Sequence, residues 1–466
     1  MSGRYRLFAV IIFAFLRGPL AAADQWVKLA TPNFELYTSA GEKKGREAIL
    51  YFEQVRSFFL QGSVSKRVSE FPVRIVAFRG EKQYHPYRLN EFAFAYYTRG
   101  RNRDYIVMQD IVSEHYPAAI HEYTHLILEH TGQTPPPWLN EGLAELYSTL
   151  KPVGKKAAVG DIIPGRAQTL LSSKWIGLDA LTSADHQSPL YNERDRAGMF
   201  YAESWVLTHM LFFAPNYRPN FPKFIVAASS GKTADEACKS AFGKHLWEVE
   251  VDLRQYMKGE RFYRAMFDIK LEKSAEDPDV SEASAFESGM VLADLLALTS
   301  KTQQALSAYQ ELAKSNPEQP EVEESLGYLA WQSGDHEAAR GHFERALAAG
   351  TRNARMCYDY AMLSRNGNDA VKNALPAFQK ALELKPDYAE ARLQFGLMLV
   401  NTCNYPEAIA QLRQVKKVDP EQALRRTNAK FRKRFEYIET KLAERGKKLE
   451  DSDIVEMEAL WKEAKR

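Results

Sequence analysis

The stretch His121-Glu122-Tyr123-Thr124-His125 is the feature around which this chain is organised. It lies inside the run Ala118–Leu128, which contains no Gly or Pro and therefore favours a helix. Residues four apart lie on the same face of a helix, so both imidazoles can reach one metal ion. Glu122 is directed toward the same ion and can activate a water molecule there. This H-E-x-x-H pattern is typical of zinc hydrolases and predicts a zinc-dependent peptidase.

A second helix should complete the metal site, because catalytic zinc usually has three protein ligands and a water. Thr131-Gly132 can end the first helix, and Pro135-Pro136-Pro137 prevents its continuation. A new helix is predicted over Trp138–Tyr147, with Glu141 and Glu145 four apart on one face. One of these carboxylates can ligate the metal, and the other can hydrogen-bond a ligating imidazole.

The two segments HEYTH and WLNEGLAEL together resemble the gluzincin division of zinc metallopeptidases, within the peptidase MA-like superfamily. More narrowly, the chain is similar to exported bacterial members that carry tetratricopeptide repeats after the peptidase domain. The resemblance implies one Zn²⁺ ion held by His121, His125 and Glu141, with Glu122 as the general base that activates a zinc-bound water. It also implies that Glu145 is the partner of a ligating imidazole. The expected fold is an α+β zincin-like metallopeptidase domain followed by an all-α tetratricopeptide-repeat solenoid.

The sequence departs from two better-known branches of that division. Fifteen residues separate His125 from Glu141, which is fewer than in the aminopeptidase and thermolysin branches. The chain also has no Gly-Ala-Met-Glu-Asn segment of the kind that aminopeptidases use to bind a free amino terminus. Endopeptidase activity is therefore expected rather than exopeptidase activity.

A hydrogen-bond donor should face the metal, to stabilise the oxyanion that forms when water attacks a peptide carbonyl. The predicted helix Ala197–His209 offers Tyr201 and His209. Members of the resembled division have a tyrosine that opens a helix of this type, which favours Tyr201. The alternative for Tyr201 is a core or rim tyrosine, and His209 is expected to be a packed helix residue.

An edge strand beside the cleft could bind an extended substrate backbone through main-chain hydrogen bonds. Strands are predicted at Asn33–Thr38, Pro72–Phe78, Glu91–Thr98 and Asp104–Gln109. We predict that Glu91–Thr98 has this substrate-binding role. The alternative is an edge strand that only completes the sheet.

The N-terminus reads as a signal peptide over residues 1–23. Arg4 and Arg6 precede the apolar run Leu7–Leu16, and Ala21-Ala22-Ala23 supplies small residues for cleavage. A bacterial periplasmic or secreted protein is expected, with no integral membrane segment after cleavage. The net charge of +2 gives no indication of nucleic-acid binding.

The three cysteines, Cys238, Cys357 and Cys403, are too few and too scattered for a disulfide framework. They are interpreted as buried free thiols. A single bridge between Cys357 and Cys403 is the open alternative.

A period of about 34 residues follows a charged, Pro-containing stretch. The predicted organisation is a metallopeptidase domain at 24–270, a linker at 271–285, four repeats at 286–422 and a C-terminal capping helix at 423–466. Large side chains recur through the repeats at Tyr309, Phe343, Phe378 and Leu412. The spacing resembles tetratricopeptide repeats, whose concave groove is expected to bind a peptide or protein partner. The alternative is that the repeats only extend the enzyme.

The sequence thus predicts an exported zinc metalloendopeptidase whose repeats bind a protein partner or substrate. Two other functions stay open. One is a non-catalytic interaction scaffold with a vestigial peptidase domain, and the other is a zinc hydrolase of a non-peptide bond.

Overall fold

The structure is a computed structural model in which the chain divides into two compact units, with the boundary between Lys301 and Thr302. The predicted signal peptide lies outside the described residues. The structure describes residues 25–62, 72–91, 93–101, 103–131, 134–185, 187–192, 194–259, 262–366, 370–415, 437, 440–447, 460 and 463.

The first unit contains both strands and helices, which confirms the mixed α and β content predicted for it; the zincin-like fold stays a prediction. Its strands are β1 (Trp26–Ala30), β2 (Phe34–Thr38), β3 (Val73–Ala77), β4 (Ala95–Arg99), β5 (Asp104–Met108), β6 (Lys151–Val153), β7 (Lys156–Val159), β8 (Ala265–Asp268) and β9 (Asp279–Ala283). Its helices are α1 (Glu42–Gly62), α2 (Glu81–Tyr84), α3 (Tyr116–Thr131), α4 (Pro137–Ser148), α5 (Pro164–Ser172), α6 (Leu178–Ser183), α7 (Pro189–Asn192), α8 (Arg194–Phe213), α9 (Phe221–Ser229), α10 (Ala234–Phe242), α11 (Leu246–Lys258), α12 (Lys273–Glu276) and α13 (Ala285–Leu298).

The main sheet has six strands in the order β4-β5-β3-β2-β1-β9. Strand β3 is parallel to both β2 and β5, whereas β4, β1 and β9 join their neighbours antiparallel. Strand β4 therefore lies at an edge, as predicted for the Glu91–Thr98 segment, although the strand begins at Ala95. A second sheet has the order β6-β7-β8.

Successive side chains of a strand point to opposite faces, and the main sheet buries both of its faces. On one face, Leu36, Ile75 and Ile106 pack with apolar residues of α1 and α3. On the other face, Tyr37, Val76 and Val107 pack with residues of α13. Burial of both faces explains why the central strands are almost continuously apolar. The packing also places α3 against the sheet, beside the edge strand.

The segment 271–285 was predicted to be a linker, but it belongs to the first unit. Strand β9 pairs with β1 along its whole length, from Trp26 opposite Ala283 to Ala30 opposite Asp279. Helix α13 follows at once, and its Val291 and Leu295 belong to the core on that face of the sheet. The linker prediction was wrong because a short strand rich in charged residues resembles a linker when it lies at a sheet edge.

A helical core fills the rest of the first unit. Helices α4, α5, α6 and α8 to α11 contribute to it, and Trp138, Trp205 and Phe200 are among its fully buried side chains. Helix α8 packs closely along α4. This contact positions α8 against the helix that carries Glu141.

The second unit is helical. Its helices are α14 (Thr302–Ser315), α15 (Pro320–Gln332), α16 (His336–Ala348), α17 (Ala354–Ser364), α18 (Ala370–Leu384), α19 (Ala389–Asn401) and α20 (Tyr405–Val415). The pairs α15 with α16, α17 with α18, and α19 with α20 pack closely. Gly327 and Gly396 mark close approaches, because an added Cβ would come within 2.6 Å of Phe343 and 2.8 Å of Leu412. The helical solenoid prediction is confirmed.

The predicted capping helix, residues 423–466, lies almost entirely outside the described residues.

All three cysteines are free. Cys238 and Cys357 are buried as predicted, whereas Cys403 is exposed on the second unit, which corrects the interpretation of all three as buried thiols. Among the described residues, no helix is long and apolar enough to cross a bilayer.

Candidate metal centre

Helices α3 and α4 bring the predicted metal ligands together. Helix α3 runs without a break from Tyr116 to Thr131, so His121 and His125 lie one turn apart on the same face. Helix α4 begins at Pro137, where a proline costs little because the first amides of a helix have no intrahelical partner. The two helices pack side by side, and Glu141 on α4 faces the two imidazoles.

The three predicted ligand atoms converge on one point. His121 Nε2 lies 3.2 Å from His125 Nε2 and 3.2 Å from Glu141 Oε2. The third side of this triangle, between His125 Nε2 and Glu141 Oε2, is 3.6 Å. In the part of the chain that the structure describes, this is the one group of three or more His, Cys, Asp or Glu side chains found with metal-ligand spacing. Two imidazole nitrogens and one carboxylate oxygen fit the ligand preferences of zinc.

Contacts within this group shift the pKa values of Glu141 and His125. Burial alone would raise the pKa of Glu141, but hydrogen bonds from both imidazoles hold that pKa well below its usual range. Burial alone would lower the pKa of His125, but its contacts with Glu141 and the nearby charge of Glu122 raise that pKa to about 9. The carboxylate therefore stays ionised and favours positive charge at the point where the three side chains meet.

Both imidazoles are held from their outer side. His125 Nδ1 lies 3.0 Å from Asn140 Oδ1, which can accept the imidazole proton. His121 Nδ1 lies 3.6 Å from Glu145 Oε1, so the structure places Glu145 beside the imidazole of His121, as the sequence predicts. Such outer contacts orient each ring so that Nε2 faces the point where the three side chains converge. Sequence reasoning missed Asn140, although its position next to Glu141 was a usable signal.

Arg166 also belongs to this site, and nothing in the sequence near the HEYTH segment indicates it. It lies on α5 and donates to both oxygens of Glu145, at 3.0 Å from Nε and 2.7 Å from Nη2. Its guanidinium also lies over the ring of Tyr201, 5.0 Å from the ring centroid. Helix α5 packs against α8 and α8 packs against α4, and this arrangement places Arg166 beside Glu145.

Glu122 meets the edge strand. The backbone N–H of Tyr97, in the middle of β4, donates to Glu122 Oε2 at 3.2 Å. The predicted general base therefore lies between the metal ligands on α3 and the outer side of β4. This contact places the edge strand beside the site, where the sequence predicts substrate to bind.

The two candidate donors on α8 have different surroundings. The ring of Tyr201 lies 6.5 Å from the ring of His121, so Tyr201 faces the site. Helix α8 begins at Arg194, and Tyr201 therefore lies in its third turn rather than opening the helix. His209 is fully buried, with Nδ1 at 2.8 Å from Tyr256 Oη and Nε2 at 3.1 Å from the Gly160 carbonyl oxygen. His209 is a core residue, as expected.

Three histidines without metal-ligand spacing in the sequence each contact a carboxylate outside the triad. His115 contacts Asp110 at 2.6 Å, His130 contacts Asp104 at 2.8 Å, and His245 contacts Asp235 at 3.3 Å. His186 lies outside the described residues. These contacts with single carboxylates are structural.

Gly142 permits the close packing that brings α8 to the site. A Cβ at this position would lie 2.1 Å from Thr208 Oγ1 and 2.5 Å from the Ser204 carbonyl oxygen. The second of these is a backbone atom and cannot rotate away. The glycine directly after Glu141 is therefore required for the α4–α8 contact.

Comparisons with known proteins describe the C-terminal part of the chain. Two tetratricopeptide-repeat family models match residues 290–354 and 365–427. The chain contains tetratricopeptide repeats. The first match begins inside α13, the helix that packs on the main sheet of the first unit.

One relative and several solved structures share short or partial similarity. A protein of Bacillus subtilis (strain 168), described as uncharacterized protein YabN, is 45% identical over 58 residues, which are 12% of each chain. The chain thus spans about an eighth of the length of that relative. The solved structures include YrrB, described as a tetratricopeptide-repeat protein with an unusual peptide-binding site. YrrB is 24% identical, with a TM-score of 0.28, over 39% of this chain and 92% of its own. MamA of Desulfovibrio magneticus RS-1 is 21% identical, with a TM-score of 0.24, over 28% of this chain and 75% of its own.

Proposed function

We propose that the chain is a zinc-dependent metalloendopeptidase. The observation that carries the proposal is the convergence of His121, His125 and Glu141 within 4.8 Å, with Glu122 adjacent on the same helix. The outer contacts of both imidazoles support it, because polar groups behind the ligating rings are typical of functional metal sites; His125 contacts Asn140 at 3.0 Å, and His121 lies 3.6 Å from Glu145. Zinc, when bound there, would supply a Lewis acid that polarises a water molecule and the scissile carbonyl.

The protein groups have separate roles in the proposed reaction. Glu122 accepts the proton of the attacking water and then delivers it to the leaving amine. Tyr201 donates a hydrogen bond to the developing oxyanion from α8, on the side of His121. Glu145 and Asn140 orient the two imidazoles and do not touch the substrate.

The edge strand offers the main-chain groups that an extended peptide would need. The Phe94 carbonyl accepts from Gln109 and the Gly100 amide donates to Arg103, so backbone groups of even-numbered residues face β5. Alternation then turns the backbone groups of Ala95, Tyr97 and Arg99 outward, away from the sheet. The Tyr97 N–H already donates to Glu122, so a substrate strand would pair with the other outward groups. A substrate strand that pairs with this side would lie next to Glu122, and main-chain pairing favours a broad range of peptide sequences.

The repeats support a second part of the proposal, which is binding of a protein partner or protein substrate. Stacked helix pairs of this kind form extended concave surfaces that bind peptides. We place the protein outside the cytoplasm, in a periplasm or secreted, because residues 1–23 have the composition of a signal peptide.

The zinc content of the purified chain, its cleavage of a proteome-derived peptide library and a Glu122→Gln variant test the proposal together. The wild type should contain one zinc and cleave internal peptide bonds, and the variant should keep zinc and lose at least about a hundredfold in kcat. A variant that cleaves as fast as the wild type contradicts the role of Glu122. A chain without zinc would indicate the scaffold function, and zinc without peptide cleavage would indicate hydrolysis of another bond.

A further inference from the structure

Arg166 makes two parallel hydrogen bonds to one buried carboxylate. The donors are Nε and Nη2, and the acceptors are the two oxygens of Glu145. This paired geometry uses the rigid fork of the guanidinium and fixes the plane of the carboxylate as well as its position. A lysine could supply the charge but could not fix the plane.

Glu145 depends on such a partner. Only 6% of the residue is exposed, and a buried carboxylate is unfavourable unless charges and hydrogen bonds compensate it. The oxygen that accepts from Nη2 of Arg166, Oε1, is also the oxygen that faces His121 Nδ1. The guanidinium therefore acts on the same atom that orients the imidazole.

Arg166 is itself held from a second side. Its guanidinium lies over the face of the Tyr201 ring, where a cation is attracted to the π electrons. Tyr201 in turn lies beside His121. Arg166 thus contacts both the carboxylate behind the metal ligand and the proposed oxyanion donor.

We infer that Arg166 is a positioning residue of the metal centre, which holds Glu145 in the plane that directs His121 Nε2 at the metal ion. This inference rests on the proposed zinc function. With Arg166 in place, Oε1 of Glu145 is held facing His121 Nδ1 at 3.6 Å, which leaves Nε2 directed toward His125 and Glu141. Without Arg166, the carboxylate loses its strongest counter-charge and can rotate away from the imidazole.

Zinc affinity of the full-length chain, measured without substrate by competition with a chromophoric chelator, tests the inference. Arg166→Met should weaken zinc binding about tenfold, and Glu145→Gln should weaken it by a similar factor. The double variant should bind zinc no more weakly than Glu145→Gln alone, because the arginine acts through the glutamate. The visible absorption of the Co²⁺-substituted Arg166→Met variant should also differ from that of the wild type, since the ligand His121 is less well oriented.

Arg254→Met is the matched control. Arg254 also pairs with a carboxylate, Glu250 at 3.2 Å, and lies over an aromatic ring, Trp175 at 3.9 Å, but it does not contact Glu145. The zinc affinity of the Arg254→Met variant should equal that of the wild type. Thermal melting shows whether each variant folds, and Arg166→Gln replaces Arg166→Met should the apolar side chain prevent folding.

The outcomes separate this inference from the proposed function. A wild type that binds zinc no more tightly than its Arg166 variants contradicts the inference alone. A double variant that is weaker than Glu145→Gln by a further tenfold also contradicts it, because Arg166 would then act by another route. A wild type with no zinc affinity contradicts the proposed function, and the inference with it. If the wild type binds zinc but does not cleave peptides, the zinc affinities of the variants still decide whether Arg166 positions the metal centre.

Discussion

The backbone N–H of Tyr97 donates to the carboxylate of Glu122 at 3.2 Å, which ties the edge strand of the sheet to the proposed general base. The side chain of Tyr97 makes a second link to the same helix, because its hydroxyl contacts Glu129 at 3.0 Å. Strand β4 and helix α3 are thus joined on both sides of His125, the proposed metal ligand. Removal of the Tyr97 N–H therefore tests whether the edge strand positions the carboxylate of Glu122.

Tyr97→Pro removes the backbone N–H that donates to Glu122. It breaks no hydrogen bond between β4 and β5, because that N–H points away from β5. We expect about a tenfold lower kcat, because Glu122 loses the donor that fixes its carboxylate. The unfolding temperature should fall less than in Thr98→Pro, whose amide faces β5 and whose loss breaks the ladder. Tyr97→Phe, which keeps the amide, is the control for the hydroxyl. Equal kcat in Tyr97→Pro and Tyr97→Phe would show that the amide does not position Glu122.

Glu141→Ala should abolish tight zinc binding. The substitution removes one of three ligands and leaves two imidazoles, so we expect at least about a hundredfold weaker affinity in chelator competition. Glu114→Ala is the control, since Glu114 lies on the exposed side just before α3. A Glu141→Ala variant with wild-type affinity would remove Glu141 from the ligand set.

Gly142→Ala and Gly198→Ala should have opposite effects on stability. At Gly142 the added methyl group meets the Ser204 carbonyl oxygen at 2.5 Å, and we expect a loss of about 1–3 kcal/mol in the free energy of unfolding. At Gly198, which also lies in a helix, the methyl group meets nothing within 4 Å, and alanine should stabilise by about 0.5–1 kcal/mol. Denaturant unfolding of both variants measures the difference. A stable Gly142→Ala protein would mean that α4 and α8 can separate at little cost.

His209 should make the stability of the first unit depend on pH. Burial lowers its pKa to about 4, below the ordinary value of 6.5, so the folded state keeps the imidazole neutral. The unfolded state binds a proton more readily between these values, and stability is therefore lost as pH falls from about 6.5 to about 4. The loss should approach about 3 kcal/mol. In His209→Gln this contribution is absent, so the stability difference between wild type and variant should shrink over that range. A difference that does not change with pH would contradict the buried neutral imidazole.

Helix periodicity made much of the site predictable. The four-residue spacing of His121 and His125, and of Glu141 and Glu145, places each pair on one helix face wherever the helix lies in the protein. The prolines before Trp138 mark the start of the second helix because a proline ends one helix and can begin the next. The repeats were predictable for the same reason, since each helix pair recurs with its own local signals.

Local pattern also led to errors where a segment owes its structure to distant partners. Strand β9 is charged and short, and only its pairing with β1, some 250 residues earlier, makes it a strand. The repeats were predicted to begin at 286, but the packing of Val291 and Leu295 with the main sheet assigns helix α13 to the first unit. Tyr201 was selected as a residue that opens a helix, and it lies inside one.

The sequence by itself determined which side chains form the candidate metal centre and the presence of the repeats, because both depend on spacings within single helices or neighbouring helices. Tertiary structure alone decided which groups surround the ligands. Asn140, Arg166 and the amide of Tyr97 come from three different elements. Their contacts with His125, Glu145 and Glu122 depend on how α3, α4, α5 and β4 pack. Such distances follow from side-chain volumes across the whole core, such as the missing Cβ of Gly142, and no local pattern encodes them.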